Sequence, residues 1–375
     1  MTRVPKRALA RIDLGAIERN CSHLSSLTGA GTELCAVVKA DAYGHGQAEC
    51  ARAALAGGAS WLGVATASEA SSLRQSGLDS RVLVMGALTG ADAREAVAAD
   101  ADVVAWSDEL VDELATLATR AGRPARVHVK LDTGMGRLGT KDAAAARALA
   151  DRVATDQRLD LAGVMTHFAT ADELGDDHFP AQLTAFNRFV SDVSAAHPGV
   201  VAHAANSAAA YREPASHHDM VRCGIAVYGL DPFQDDPERR GLWPALALES
   251  YLADVKRFEA GESAGYGRRW RAEAPTSVGV APIGYGDGVR RALSPGADVL
   301  IRGRRYPLAG TVSMDNITIH LGDDSEVAPG DAVVLIGAQA GERILCEEVA
   351  RRLDTINYEV TCGLTRRVER LYEGT

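Results

Sequence analysis

Short apolar segments alternate with longer amphipathic segments through the first 230 residues of the chain. The amphipathic stretches, such as SDELVDELATLATRAG at 107–122, carry apolar residues at helical spacing between charges. The apolar segments are close to continuous, which is typical of strands buried on both faces of a parallel sheet. There are eight of them, at 35–40, 61–66, 81–86, 102–106, 126–132, 161–168, 200–207 and 220–229. Eight such units predict a closed (β/α)8 barrel rather than an open sheet.

The pattern changes after about residue 240. Segments such as 297–322 alternate apolar and polar residues between Gly and Asp turns, which indicates a mainly antiparallel β domain. We therefore predict a barrel over residues 1–240 and a mainly β domain over 241–375. The segment RALARIDLGAI at 7–17 also resembles a strand, and residues 1–12 can pair with the β domain.

Composition narrows the class of protein. The net charge is −10 and no basic stripe is present, so nucleic acid is not an expected partner. No apolar run approaches the ~20 residues of a membrane helix, and the N-terminus lacks the apolar core of a secretory signal. The six cysteines show no zinc-ligand spacing. We expect a cytoplasmic protein with reduced thiols and no metal site.

Polar residues cluster where the predicted barrel strands end. In a (β/α)8 barrel the active site is built at the carboxyl ends of the strands. Polar side chains from five strands therefore predict one site, and the residues concerned are Lys39, Tyr43, Lys130, Arg137, His167, Asn206, Ser207 and Arg222.

Lys39 ends the first apolar run, in AVVKADAYGHG at 36–46. A lone lysine at a strand end commonly extends its ammonium group to solvent. A partly desolvated lysine with a lowered pKa can instead form a Schiff base with an aldehyde. The sequence around Lys39 decides between these two interpretations.

This stretch resembles the pyridoxal-phosphate attachment site of the alanine racemase family. The resemblance extends over nearly the whole chain, through IDLGAIERN at 12–20, VKLDTGMGRLG at 129–139, VMTHFATAD at 164–172, VRCGIAVYGL at 221–230, GYG at 265–267, IGYGDG at 283–288, TVSMD at 311–315 and INYE at 356–359. Such motifs in this order, on a barrel followed by a β domain, are far more specific than any one of them.

The resemblance implies a two-base racemisation of alanine on a pyridoxal-phosphate aldimine, supplying D-alanine for peptidoglycan. Lys39 would hold the cofactor and then act as the base on one face of the substrate. Tyr266 of a second subunit would be the base on the other face, although a tyrosine between two glycines can also simply cap a turn. Because each site would need two chains, the resemblance also implies a homodimer.

The resemblance assigns further roles. Residues matching the phosphate-binding positions are Tyr43, Ser207, Gly224, Ile225 and Tyr358. Arg222 matches the arginine at the pyridine nitrogen, with His167 behind it. Arg137 matches the arginine at the substrate carboxylate, and Met314, Tyr285 and Asp315 match residues at the substrate mouth of the facing subunit. Asp172 and Ile356 match the entry corridor.

Several positions keep alternatives open or depart from the family. Lys130 would repel Arg137, so it is a candidate for carbamylation, which would make it an anion; the alternative is an ion pair with Asp132. Ser207 is also suited to capping a helix N-terminus. Ser313, Thr311 and the YGDG sequence differ from many relatives, which puts substrate entry and side-chain selectivity in doubt.

Other functions compete with alanine racemisation. A serine or broad-specificity amino-acid racemase would share the site. A basic amino-acid decarboxylase would lack the Tyr266 base and would carry a cysteine-containing catalytic segment that this sequence lacks. A non-catalytic pyridoxal-phosphate carrier would lack the β domain.

Overall fold

The computed structural model describes residues 6–374, which divide into two compact units. The barrel unit comprises residues 17–42 and 47–227, and the β unit comprises residues 6–16, 43–46 and 228–374. The predicted division at residues 240 and 241 stays a prediction of domain organisation. Within residues 6–374, no helix is both long and apolar enough to cross a membrane.

Eight parallel strands form the wall of the barrel unit. They are β2 (Glu33–Val37), β3 (Trp61–Val64), β4 (Arg81–Val84), β5 (Asp102–Ala105), β6 (Ala125–Lys130), β7 (Leu159–Met165), β8 (Val201–His203) and β9 (Met220–Cys223). The sheet order is β8-β7-β6-β5-β4-β3-β2-β9. Asp219 N donates to Ala202 O at 3.0 Å and Arg222 N to Ala205 O at 2.9 Å, so the barrel is nearly closed. The predicted (β/α)8 barrel is confirmed, and each predicted strand overlaps an observed one.

Helices connect the barrel strands. They are α1 (Leu14–Thr28), α2 (Gln47–Ala56), α3 (Ala67–Gln75), α4 (Gly90–Ala98), α5 (Asp108–Ala121), α6 (Ala143–Thr155), α7 (His178–Ala196) and α8 (Ser207–Arg212). Local chemistry fixes several ends. Thr66 and Glu69 form a reciprocal capping box before α3, and Gly122 ends α5 in a left-handed conformation that glycine adopts without strain.

The barrel interior is mostly apolar. Six strands each contribute one residue to a buried cluster that comprises Cys35, Trp61, Leu83, Val104, Met165 and Met220. Such a packed interior leaves the ends of the strands as the place for a ligand.

The β unit contains the remaining strands. They are β1 (Leu9–Asp13), β10 (Leu246–Tyr251), β11 (Asp254–Phe258), β12 (Ser263–Ala264), β13 (Trp270–Arg271), β14 (Thr276–Ala281), β15 (Asp298–Ile301), β16 (Arg304–Pro307), β17 (Ile317–Gly322), β18 (Ala332–Gln339), β19 (Glu342–Ile344) and β20 (Glu369–Glu373). The main sheet has the order β16-β15-β18-β10-β1-β20, with β19 paired to β18. A three-stranded sheet, β11-β14-β17, and the hairpin β12-β13 complete the strands, and two helices follow, α9 (Cys346–Arg352) and α10 (Asn357–Cys362). Strand β1 pairs antiparallel with β10 and parallel with β20.

Candidate functional site

The barrel unit carries most of the predicted polar residues at or just beyond its strand ends. Lys39 follows β2 by two residues, Lys130 is the last residue of β6, and His167 follows β7 by two residues. Ser207 opens α8 after β8, and Arg222 lies within β9. Because these strands are parallel neighbours in one barrel, their carboxyl ends form a single rim.

A left-handed turn follows Lys39. The four residues after it, Ala40 to Tyr43, have φ between 52° and 54°. Two side-chain contacts hold the turn: Ala40 N donates to Glu69 Oε1 at 2.7 Å, and Gln47 N donates to Asp41 Oδ1 at 2.9 Å. The turn leads the chain away from the strand direction, so the half-buried Lys39 side chain stays at the rim.

Lys130 is 4% exposed and sits among other cations. Burial, together with the charges of Arg222 and Arg137, lowers the pKa of Lys130 to about 8, and Lys39 acts in the same direction. The alternative ion pair with Asp132 is not formed, because the Asp132 carboxylate instead accepts the backbone N–H groups of Gly134 and Gly136 at 3.0–3.1 Å. At pH 7, about one Lys130 amine in ten is therefore neutral, far more than for an ordinary lysine.

A buried hydrogen-bond chain crosses the barrel beneath the rim. Arg222 Nη1 donates to His203 Nδ1 at 2.8 Å, and His203 Nε2 lies 2.8 Å from His128 Nδ1. His128 Nε2 lies 3.1 Å from Asp102 Oδ2. A carboxylate only accepts, so each imidazole donates from Nε2 and accepts at Nδ1. The chain therefore connects the Arg222 guanidinium to a buried carboxylate.

In this series of hydrogen bonds, Asp102 is ionised and His203 is neutral. Burial opposes ionisation of Asp102, but hydrogen bonds from His128 and Arg126 and the charge of Arg81 outweigh it and lower the pKa to about 2. Burial, followed by the charge of Arg222, lowers the pKa of His203 well below its usual value. The imidazole is therefore neutral and can accept from arginine.

Arg222 itself is 3% exposed, and burial lowers its pKa to about 10. Its Nη2 donates to Thr166 O at 2.8 Å, to Ala204 O at 2.9 Å and to His167 Nδ1 at 3.2 Å. Burial and the charge of Arg222 hold the pKa of His167 well below its usual range. Within residues 6–374, the Nε–H of Arg222 makes no hydrogen bond, so this donor remains for a ligand.

Ser207 faces the turn after β9. Its Oγ accepts the backbone N–H groups of Gly224 at 3.0 Å and Ala226 at 3.4 Å. The alternative of Ser207 as a helix cap is wrong by one residue, because Asn206 is the N-cap and accepts from Ala209 N at 3.0 Å. Ser207, at the start of α8, thus lies beside the turn that contains Gly224 and Ile225, and its hydroxyl already accepts the Gly224 N–H.

The β unit carries the other predicted residues. Tyr266 is 74% exposed, and its carbonyl accepts from Thr311 Oγ1 at 3.0 Å. The loop of Tyr285 lies against that of Met314: Tyr285 N donates to Ser313 O at 3.0 Å. Asp315 pairs with Arg367 at 2.6 Å.

Three tyrosines pack together elsewhere in the β unit. The ring of Tyr43 lies 5.2 Å from that of Tyr228 and 5.9 Å from that of Tyr358, between centroids. Tyr43 and Tyr358 are therefore neighbours, which is necessary if both are to bind the same phosphate group.

The sequence analysis did not single out Asp102, His128 and His203. The signal that could have identified the histidines is a polar residue inside an apolar strand, in RVHVK at 126–130 and VAHA at 201–204. A buried polar side chain in a barrel wall needs a partner, and here the partners belong to other strands.

This barrel, with a polar rim and an attached β unit, has the architecture of a barrel enzyme. The family model for the N-terminal domain of alanine racemase matches residues 12–232, and that for the C-terminal domain matches residues 245–372. The chain belongs to the alanine racemase family, as its sequence motifs predict.

Individual relatives agree over the full length. The chain is 42% identical over 368 residues to alanine racemase of Symbiobacterium thermophilum, covering 97% of each chain. It is 42% identical over 365 residues to alanine racemase 1 of Bacillus subtilis, covering 97% of this chain and 92% of that one. The crystal structure of alanine racemase from Streptomyces lavendulae superimposes with a TM-score of 0.93 at 37% identity, covering 100% of this chain and 98% of that one.

Proposed function

We propose that the chain interconverts L- and D-alanine and supplies D-alanine for peptidoglycan in the cytoplasm. The main structural support for this activity lies at the rim of the barrel unit. There Lys39 follows β2, and its positive charge is one of those that lower the pKa of Lys130. Membership of the family over the full chain supports the same activity. A serine or broad-specificity racemase is the second candidate, because Ser313 and Thr311 depart from many relatives near the substrate entrance.

We infer that the cofactor is pyridoxal 5′-phosphate. The donor set suits this group: Lys39 supplies an amine for its aldehyde, and the remaining Nε–H of Arg222 suits a pyridine nitrogen. The resemblance assigns the phosphate to Ser207, Gly224 and Ile225, of which Ser207 and Gly224 are in contact, and Tyr43 and Tyr358 would add hydroxyl groups. When bound, this cofactor supplies the electron-withdrawing system that lets the α-proton of an amino acid leave.

The protein's own groups would move that proton. Lys39 would hold and return it on one face of the substrate, and Tyr266 of the partner on the other. Arg222 would keep its proton beside the pyridine nitrogen, because a guanidinium stays charged, so a cofactor held there would be a weaker electron sink than a pyridinium. His167 would fix the orientation of Arg222. Arg137 would bind the substrate carboxylate.

We also propose that the active protein is a homodimer in which residues 241–375 complete the site of the partner. Three residues with predicted roles there are unusually exposed: Tyr266 at 74%, Met314 at 52% and Tyr285 at 42%. Large apolar side chains exposed in a group are typical of a covered surface. Met314 would offer its backbone N–H to the substrate, with Tyr285 and Asp315 lining the mouth.

Lys130 is proposed to be carbamylated. Carbamylation requires a neutral amine, and burial together with the charges of Arg222 and Arg137 gives Lys130 a pKa of about 8. The amine nitrogen would bond to the carbon of carbon dioxide and release one proton, leaving an anion. That anion would offset the surrounding cations and orient Arg137.

The activity is tested by following the α-proton of L-alanine and L-serine in D2O by NMR, with circular dichroism of the product. The matched variants are Tyr266→Phe and Tyr251→Phe, each of which removes one hydroxyl. We expect exchange with loss of optical activity on alanine, retained in Tyr251→Phe, with L-alanine exchange abolished in Tyr266→Phe. Faster racemisation of serine would change the substrate, and absence of exchange on both amino acids would overturn the proposed activity.

The carbamate is tested with carbon-13-labelled bicarbonate. We expect a carbamate carbon signal in the wild type that Lys130→Gln lacks. Equal signals in the two proteins would contradict the assignment to Lys130.

A further inference from the structure

The β unit contains a cavity of about 390 Å³ that the proposed racemase activity does not use. Its walls come from β10, β15, β18 and β19 on one side and from α9 and α10 on the other. The lining is mainly aliphatic and includes Leu248, Val299, Leu335, Ile344, Val349 and Val360. A volume in this range is enough for a small organic ligand, which would bury apolar surface there.

The edge of the cavity carries more positive than negative charge. Arg290, Arg351 and Arg352 line it, and none of the three has a carboxylate partner among residues 6–374. The two acidic lining residues share one further arginine that does not line the cavity: Arg305 Nη1 lies 2.5 Å from Glu348 and 3.6 Å from Asp298. The lining itself carries three arginines against these two paired carboxylates, so its excess charge is positive.

The three arginines differ in how far their donors are already used. Arg351 Nη1 donates to Gln234 O at 2.9 Å, and Arg352 Nη2 donates to Pro295 O at 2.7 Å. The Arg290 carbonyl accepts from Leu293 N at 3.1 Å, but its guanidinium donates to no residue within 6–374. The guanidinium lies against the backbone of Gly363, where an added Cβ would come within 2.6 Å of Nη2. Its planar fork is thus held at the cavity edge with its donors available.

We propose that this cavity binds a soluble amphipathic carboxylate, with a linear alkyl chain in the aliphatic interior and the carboxylate on Arg290. An aliphatic lining selects a chain without polar groups, because any buried polar group would lack a partner there. An arginine without an acidic partner selects an anionic head group, and the fork favours a carboxylate that can accept two hydrogen bonds. The site lies within the β unit alone and is independent of the proposed activity.

The test uses decanoate and the full-length protein loaded with pyridoxal phosphate, with binding measured by isothermal titration calorimetry below the micellar concentration. Decanol, with the same chain and a neutral head, is the matched ligand. Arg290→Gln removes the head-group contact, and Ala297→Leu fills part of the lined volume. The control is Arg239→Gln, at an exposed arginine of the same unit that forms an ion pair with Asp235.

We expect saturable binding of decanoate that weakens about tenfold in Arg290→Gln and is unchanged in Arg239→Gln. Decanol should bind the wild type about tenfold more weakly than decanoate and be insensitive to Arg290→Gln. Ala297→Leu should weaken both ligands. Absence of saturable decanoate binding, or equal affinity of wild type and Arg290→Gln, would overturn the proposal. Arg290 is an exposed side chain, so this comparison does not depend on the folding of the cavity-filling variant.

Discussion

The carboxylate of Asp102 should contribute measurably to stability, and Asp102→Asn isolates that contribution. The asparagine keeps the shape of the side chain and an oxygen that can accept from His128, but it removes the negative charge shared by Arg81 and Arg126. The variant thus resembles the protonated form of the aspartate. The shift in the pKa of Asp102 on folding then measures what the negative charge contributes to stability. This is because the shift compares the ionised and protonated carboxyl groups in the folded and unfolded states.

The magnitude follows from the fall of the Asp102 pKa from 3.8 to about 2. That difference corresponds to about 2.5 kcal/mol of folding free energy at neutral pH. For a unit of roughly 200 residues, this loss lowers the unfolding midpoint by about 5–10 °C. A carboxylate with a lowered pKa stabilises the fold above its unfolded pKa and loses this contribution as pH falls through the folded one. The difference between the two proteins should therefore stay constant from pH 5 to 8 and narrow between about pH 4 and 2.

Differential scanning calorimetry of the wild type, Asp102→Asn and Asp160→Asn checks this reasoning. Asp160 is an exposed residue of β7 and its replacement should leave the midpoint within about 1 °C of the wild type. If Asp102→Asn also unfolds within about 1 °C of the wild type at pH 7, the carboxylate does not stabilise the barrel. A difference that changes between pH 5 and 8 would assign the effect to another group.

Three further outcomes follow from the barrel unit. Lys130 without carbamate should destabilise the fold below pH 8, since its pKa in the folded state is about 8 and its ordinary pKa is 10.5. In buffer free of carbon dioxide, the free energy of unfolding measured with urea should therefore rise by about 3 kcal/mol between pH 8 and 10.5. Lys130→Met should abolish this rise. Gly163→Ala should cost about 1–3 kcal/mol, because an added Cβ would come within 2.2 Å of His128 Nδ1, and an undiminished urea midpoint would contradict this packing. The lowered pKa values of His167 and His203 predict neutral imidazoles, so their nitrogen NMR shifts should not change between pH 5.5 and 8.

The sequence predicts the barrel well because residues that are neighbours in the chain are enough to identify each barrel strand. Each buried strand is a short apolar run, and the residues at the run ends, such as Lys39 and Lys130, stand out against their neighbours. The family motifs then relate Tyr266 and Arg222 to one chemistry although more than 40 residues separate them in the chain. The roles of these residues stay predictions, whereas the fold and the family are confirmed.

The remaining features depend on partners that are distant in the chain. His128 is an ordinary strand residue until β8 brings His203 to its Nδ1 and β5 brings Asp102 to its Nε2. The lowered pKa of Lys130 likewise requires its burial and the approach of Arg222 from β9. The apolar cavity of the β unit is a gap between elements, which no hydrophobic pattern predicts.

The left-handed turn after Lys39 has an energetic consequence. None of its residues, Ala40, Asp41, Ala42 and Tyr43, is a glycine, and each left-handed residue with a side chain costs roughly 1–2 kcal/mol, so the turn stores on the order of 4–8 kcal/mol. That is comparable with the net stability of a whole domain, about 5–15 kcal/mol. Glycine at Ala40 would relieve part of the strain, but it would also free the backbone next to Lys39. A substitution that stabilises the fold by relieving this turn would thus also loosen the position of Lys39.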